Sequence, residues 1–221
     1  MTAPHDMTRI LVIFDLDGTL VDSETLCNQA LIDLLPELTD SAETLVERYQ
    51  GQKLAIILRD LERRLCITLP EGFEQLYRQR VAYLCSTELK PVPGVVQMLD
   101  ALAHSFCIAS SGPPEKIAHS LAVTGLAGYF GDRIFSAYVV GSWKPEPGLF
   151  LHAAAAMGFA AEHCVVIEDS PVGLAAAAAA GMRALHYAPG VPAGTAGSTF
   201  SSMSELPSLL QGMASAQTSA A

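Results

Sequence analysis

The chain has 221 residues, 50% of them hydrophobic, and a formal net charge of −10. That length and apolar content allow one sizeable core with a smaller accessory unit, and the negative charge repels phosphate backbones, which argues against nucleic acid as a partner. No apolar run reaches the eighteen or so residues that a membrane span needs, and Met1 to Thr8 carries no charged-then-apolar pattern, so a cytoplasmic protein without a membrane partner is expected.

The first element is an apolar strand over about 9–15 that runs into Phe14-Asp15-Leu16-Asp17-Gly18-Thr19-Leu20. Residues i and i+2 of a strand share a face, so Asp15 and Asp17 can converge on one ligand while Gly18 permits a tight turn. Acids so close repel unless neutralised, and a hard divalent cation such as Mg²⁺ accepts carboxylate together with phosphate oxygens. Taken alone, the same cluster is also a turn that merely ends a strand.

A long stretch of about 22–86 follows with helical periodicity and no convincing strand. Leu26, Ala30, Leu34 and Leu35 form one stripe, Leu54, Ile57, Leu58, Leu61 and Leu65 another, and further helices are expected near 40–50 and 71–86. Next comes a buried-strand pattern over 105–110 closed by Ser110, Ser111 and Gly112. A hydroxyl and backbone N–H groups at a strand end can bind a phosphoryl oxygen without added charge, although Ser-Ser-Gly-Pro-Pro is equally an ordinary turn into a helix starting near Pro114.

A strand over 134–138 precedes Gly141-Ser142-Trp143-Lys144-Pro145-Glu146-Pro147, where two prolines stiffen the backbone around Lys144 and start the next helix. The strand over 164–168 again ends in acids, Glu168 and Asp169, which could instead form the N-terminal cap of the alanine-rich helix that follows. Ala175 to Ala180 is expected to pack closely on a sheet, since alanine has the best helix propensity and needs little room. A last strand over 183–187 completes the alternation, and the tail after Gly212 is expected to fray. Alternating strands and helices indicate a parallel sheet covered on both faces. Every motif then lies at the carboxyl end of a strand, where open α/β sheets bind ligands.

The five cysteines (27, 66, 85, 107 and 164) show no Cys-x-x-Cys pairing and read as reduced core residues. The six histidines show no metal-ligand spacing, and His104, His119, His152 and His163 fall on or near helices, in structural or surface roles.

These four strand-end segments, in this order, resemble the haloacid dehalogenase superfamily, whose phosphatases carry Asp-x-Asp-Gly-Thr, a strand-end Ser, Lys-Pro-x-Pro and a Glu-Asp pair. The resemblance implies an α/β fold: a Rossmann-like three-layer core with a central parallel sheet, formed by 1–21 and 87–221, and an inserted α-helical cap over 22–86. The cap would hinge near Val21-Asp22 and Glu88-Pro93. It further implies Asp15 as nucleophile, Asp17 as general acid and base, and Ser110 and Lys144 as holders of the transferring group. Mg²⁺ would be held by Asp15, the main-chain carbonyl of Asp17 and Asp169, with Glu168 reaching it through water. Gly18, Thr19, Ser111, Gly112 and, from the cap, Gln52 and Lys53 would contact the substrate.

The implied activity is hydrolysis of a small phosphorylated metabolite, a sugar or sugar-acid phosphate such as 6-phosphogluconate, by a monomer or weak dimer. Asp17 argues against dehalogenase and phosphonate-cleaving chemistry, which lack that residue. A sugar-phosphate mutase is the alternative, although Thr19 and Cys27 stand where mutases of this kind often have another residue and a histidine. A catalytically idle binding homologue is the other, and it would be expected to have lost one of Asp15, Asp17, Lys144 or Asp169.

Overall fold

A computed structural model describes residues 10–49, 52, 54–191 and 198–218. Strand β1 (Leu11–Phe14) is followed by helices α1 (Ser23–Leu34), α2 (Ala42–Tyr49), α3 (Leu54–Leu65), α4 (Phe73–Glu88) and α5 (Val95–Ala101) before the chain returns to the sheet. Then come β2 (Ser105–Ser110), α6 (Pro114–Val123), α7 (Ala127–Phe130), β3 (Ile134–Ser136), α8 (Ala137–Val140) and α9 (Gly148–Met157). The chain closes with β4 (Cys164–Glu168), α10 (Pro171–Ala179), β5 (Arg183–Tyr187), β6 (Thr199–Phe200) and α11 (Leu206–Thr218).

The sheet is six-stranded in the order β3-β2-β1-β4-β5-β6, and every pairing is parallel. Strand β1 lies between β2 and β4, with Phe14 level with Ile108 on one side and Ile167 on the other. All four residues of β1 are buried, as expected of a central strand covered on both faces. Alternation of side chains divides the interior in two. Val12 and Phe14 join a cluster with Ile108, Val165 and Ile167 that continues into Leu31, Leu45 and Leu61 of the inserted helices. Leu11 and Ile13 face Phe150, Ala153, Ala176 and Ala177, so the alanine run lies against the sheet as expected.

The segments entering and leaving the inserted helices run side by side. The Asp22 N–H donates to the Lys90 carbonyl (3.0 Å), the Val92 N–H donates to the Leu20 carbonyl (3.0 Å), and Val21 bridges Pro91 in antiparallel fashion.

Several local expectations change. Strand β3 stops at Ser136 because its hydroxyl accepts the Tyr138 N–H (3.2 Å) and caps α8. The two-residue β6 is too short to show periodicity. Helix α11 runs on to Thr218 instead of fraying after Gly212: Ser202 and Glu205 form a capping box just before it, and once a helix is nucleated, good helix formers such as Ala and Gln propagate it. Cys66 is exposed at the end of α3 and is not a core residue, while Cys85, Cys107 and Cys164 are buried and all five thiols are free. Among the described residues, no helix is long and apolar enough to cross a membrane.

Candidate active site

Strands β2 and β3 lie on one side of β1 and β4 to β6 on the other, so the order in which strands are added reverses next to β1, and a crevice opens at the carboxyl ends of the strands. Asp15 is the first residue beyond β1, and its N–H still bonds the Ile167 carbonyl (3.0 Å). The chain then turns at Gly18, whose φ of 81° suits glycine and where a Cβ would strike the Asp169 carboxylate.

Lys144 is the electrostatic centre. Its side chain is 5% exposed, and Nζ donates to Asp15 Oδ1 (2.5 Å) and to Glu168 Oε1 (2.5 Å), with the Phe150 ring 5.1 Å away. Glu168 Oε2 accepts from the Ser170 N–H (3.1 Å) and hydroxyl (2.8 Å), so this carboxylate is tied at both oxygens. Asp169 Oδ1 accepts from the Thr19 hydroxyl (3.1 Å), and the Asp169 carbonyl lies 3.2 Å from His186 Nε2.

Asp15, Glu168 and Asp169 are buried, and one oxygen of each lies within 4.8 Å of the others. Burial pushes the Asp15 carboxyl up to about 7, with Lys144 opposing and Glu168 and Asp17 adding to the rise. Burial, then repulsion from Asp15, Glu168 and Glu24, pushes Asp169 up to about 8. Burial lowers Lys144, but the two carboxylates on it outweigh this and hold its pKa above the usual lysine range. One ammonium therefore does not neutralise three buried acids. The oxygen-only donor set and its uncompensated charge fit a hard cation such as Mg²⁺.

These groups line a cavity of about 200 Å³ together with Asp17, Glu24, Ser110 and Ser111. The Ser110 hydroxyl accepts the Gly112 N–H (3.0 Å), which leaves its own proton free to donate, and Ser136 fixes the Gly112 carbonyl (2.7 Å).

Three expectations about side chains give way. Asp15 and Asp17 do not share a strand face, because β1 ends at Phe14. The Asp17 carboxylate instead accepts from the Ser23 hydroxyl at Oδ1 (2.7 Å) and from Lys116 Nζ at Oδ2 (2.8 Å). Thr19 is fully buried with its hydroxyl committed to Asp169, so it positions that acid and has no surface for substrate. Gln52 does not line the acidic cavity. Its amide donates to the Arg48 carbonyl (2.9 Å), and it lines a separate cavity of about 490 Å³ with Arg48, Arg59 and Arg63. Lys53 lies outside the described residues.

Sequence reasoning missed Ser23, Glu24, Lys116, Ser170 and His186. Ser23 and Glu24 directly follow the first motif, and Ser170 follows the Glu-Asp pair, so proximity was an available signal for these three. No local pattern marks Lys116, which stands 99 residues from Asp17. Burial lowers Lys116 but Asp17 raises it further, keeping it protonated. Burial, then Asp17, Asp22 and Glu168, pushes Glu24 up to about 7.

The family model described as haloacid dehalogenase-like hydrolase matches residues 11–181. The chain is 37% identical to the 6-phosphogluconate phosphatase of Escherichia coli K12, over 82% of this chain and 84% of that protein. Among solved structures it is similar to a conserved haloacid dehalogenase-like protein of unknown function from Agrobacterium tumefaciens (TM-score 0.84, 32% identity, 93% of this chain and 99% of that one). It is also similar to a haloacid dehalogenase family hydrolase from Deinococcus radiodurans with bound phosphate and sodium (TM-score 0.81, 30% identity, 95% and 98%). The chain belongs to the haloacid dehalogenase-like hydrolases and is a phosphatase of that family.

Proposed function

We propose that this enzyme is a Mg²⁺-dependent phosphomonoesterase acting through an aspartyl-phosphate on a small sugar or sugar-acid phosphate, with 6-phosphogluconate as the first candidate. The observation that carries this reading is the buried set of Asp15, Lys144, Glu168 and Asp169 around one small cavity. The relative named a 6-phosphogluconate phosphatase supports the substrate.

Asp15 attacks phosphorus in line, an Asp15 oxygen to phosphorus bond forms, and the ester oxygen to phosphorus bond breaks. Asp17 gives its proton to the departing alkoxide, then takes one from the water that displaces Asp15 and releases inorganic phosphate. For both transfers Asp17 must turn from Ser23 and Lys116 toward the cavity. Lys144, already on Asp15, balances negative charge that builds up in transfer, while Ser110 and the nearby backbone N–H groups hold phosphoryl oxygens. Mg²⁺, held by Asp15, Asp169 and the Asp17 carbonyl with Glu168 through water, would shield nucleophile and phosphate from each other.

Residues 22–86 would act as a cap over a core of 1–21 and 87–221, moving about the bridged segments at Val21 and Pro91. Cys27 stands where related mutases often carry a histidine and is not among the residues lining the acidic cavity, which favours hydrolysis over mutase chemistry. The test is phosphate release from a panel of sugar, sugar-acid and short-chain phosphates, with and without Mg²⁺, with Asp15→Asn as control. Release needing both Mg²⁺ and Asp15, fastest with 6-phosphogluconate, is expected. No release from any member would overturn the reading.

A further inference from the structure

The cavity poses a charge problem that the catalytic set does not solve. Its walls carry five carboxylates, those of Asp15, Asp17, Glu24, Glu168 and Asp169, in a chain that is already strongly acidic. Two cations among the described residues bond to these acids, Lys144 and Lys116. Lys144 is buried and occupied by Asp15 and Glu168, which places it at the phosphoryl end. A second negative charge on the substrate therefore has to be met elsewhere.

Lys116 has the properties required. It stands in the first turn of α6, directly after the Ser110 to Gly112 loop, and its ammonium bonds Asp17 Oδ2 at 2.8 Å. An ammonium has three donors. The side chain is 43% exposed and Asp17 is its one hydrogen-bond partner among the described residues, so donors remain for a ligand. On the reading above, Asp17 protonates the leaving oxygen. Lys116 is not itself in the wall of the cavity but is bonded to a residue that is, so the turn of Asp17 toward the ester oxygen opens the Lys116 ammonium to the leaving-group side. When Asp17 turns to the ester oxygen, the Lys116 ammonium loses its carboxylate and becomes free to take another.

We propose that Lys116 is the specificity-determining residue for the leaving group, pairing with a carboxylate carried by the substrate in exchange for Asp17 and so favouring sugar-acid phosphates over neutral sugar phosphates. The inference rests on the phosphatase reading of the same cavity. The ammonium stays paired through the exchange: Asp17 leaves it on taking up the proton that it gives to the ester oxygen, and the substrate carboxylate takes its place on Lys116. A neutral polyol offers nothing in return, so turning Asp17 would leave the ammonium with water alone.

The test uses a matched pair, 6-phosphogluconate and sorbitol 6-phosphate, which differ by a carboxylate against a hydroxymethyl at the far end. With the full-length Mg²⁺-loaded protein, wild type is expected to prefer the acid in kcat/KM. Lys116→Met is expected to lower the ratio of the two kcat/KM values by about tenfold, mainly through KM for the acid, and Lys116→Arg to restore most of it. A structural role alone would lower both substrates together, so an unchanged ratio in Lys116→Met overturns the inference and leaves the phosphatase intact. Thermal unfolding of each variant establishes that the protein assayed is folded. No phosphate release from either substrate by wild type would overturn the phosphatase reading, and this inference with it.

Discussion

The carboxylate of Glu168 fills the space that a Cβ would need at Gly173 in the first turn of α10. The Gly173 N–H meanwhile donates to the Ser170 hydroxyl (3.1 Å), whose proton goes to Glu168 Oε2. Helix start and buried acid are thus built against each other, and Glu168 is held where Lys144 can bridge it to Asp15.

Gly173→Ala tests that packing. Replacing a helical glycine by alanine ordinarily stabilises by about 0.5–1 kcal/mol. Here the overlap is with a buried, fully bonded carboxylate, so overpacking of about 3 kcal/mol is expected to win by about 2 kcal/mol, lowering Tm by roughly 4–8 °C. Activity should fall with it, since Glu168 and then Lys144 must shift. A rise in Tm would refute the close approach.

Thr19→Val removes one hydroxyl and nearly conserves volume. Asp169 loses the donor at Oδ1, so stability is expected to drop by about 1–2 kcal/mol and Mg²⁺ affinity by about tenfold. Thr19→Ser should keep both. Calorimetric titration of Mg²⁺ into the three proteins reads the difference, and equal affinities would remove Thr19 from any role in positioning Asp169.

The two aspartates of the first motif should fail differently. Asp15→Asn removes the nucleophile, so turnover is expected to fall by more than about 10³-fold with no phosphoenzyme formed. Asp17→Asn should slow breakdown of the intermediate by about 10²–10⁴-fold and let it accumulate, which intact-protein mass spectrometry after acid quench detects. Absence of a phosphorylated species in Asp17→Asn with a rapidly cleaved substrate would argue against the covalent route.

Stability of the metal-free protein should depend on pH in a defined direction. Asp15 and Asp169 are raised from 3.8 to about 7 and about 8, so between those limits the folded chain holds protons that the unfolded chain has lost. That contribution is full below about pH 4 and disappears as pH rises through the folded values. Tm without metal, followed between pH 5 and 8, is expected to fall from this source. Added Mg²⁺ should raise Tm more at pH 8 than at pH 5, since at pH 5 it must displace protons. A Mg²⁺ effect larger at pH 5 would contradict the assigned cluster.

The strands that carry the site were legible because each is a continuous apolar run ending abruptly in Asp15, Ser110 or Glu168, the pattern of a strand buried on both faces. Helices α1 and α3 were legible from their apolar stripes, while α2 and α4 were placed only as helical stretches near 40–50 and 71–86. Strand β6, at two residues, and helices α7 and α8, at four each, lie below the length at which a period can be recognised. Helix α11 beyond Gly212 was misjudged because a missing apolar stripe says that a segment has little to bury, and does not say that it cannot extend a helix already capped.

The amino-acid sequence by itself determined which chemical groups arrive at one end of the sheet: Asp15, Ser110, Lys144, Glu168 and Asp169 all follow apolar segments whose periodicity dictates burial. Only the tertiary structure decided how these groups face one another. Asp17 turns to Ser23 and Lys116, Thr19 closes onto Asp169 across 150 positions, and Lys144 spans Asp15 and Glu168. Periodicity is a local property that reports burial. Beyond the last residue of a strand the ladder no longer sets side-chain direction, and partners brought in from distant parts of the chain choose the rotamer.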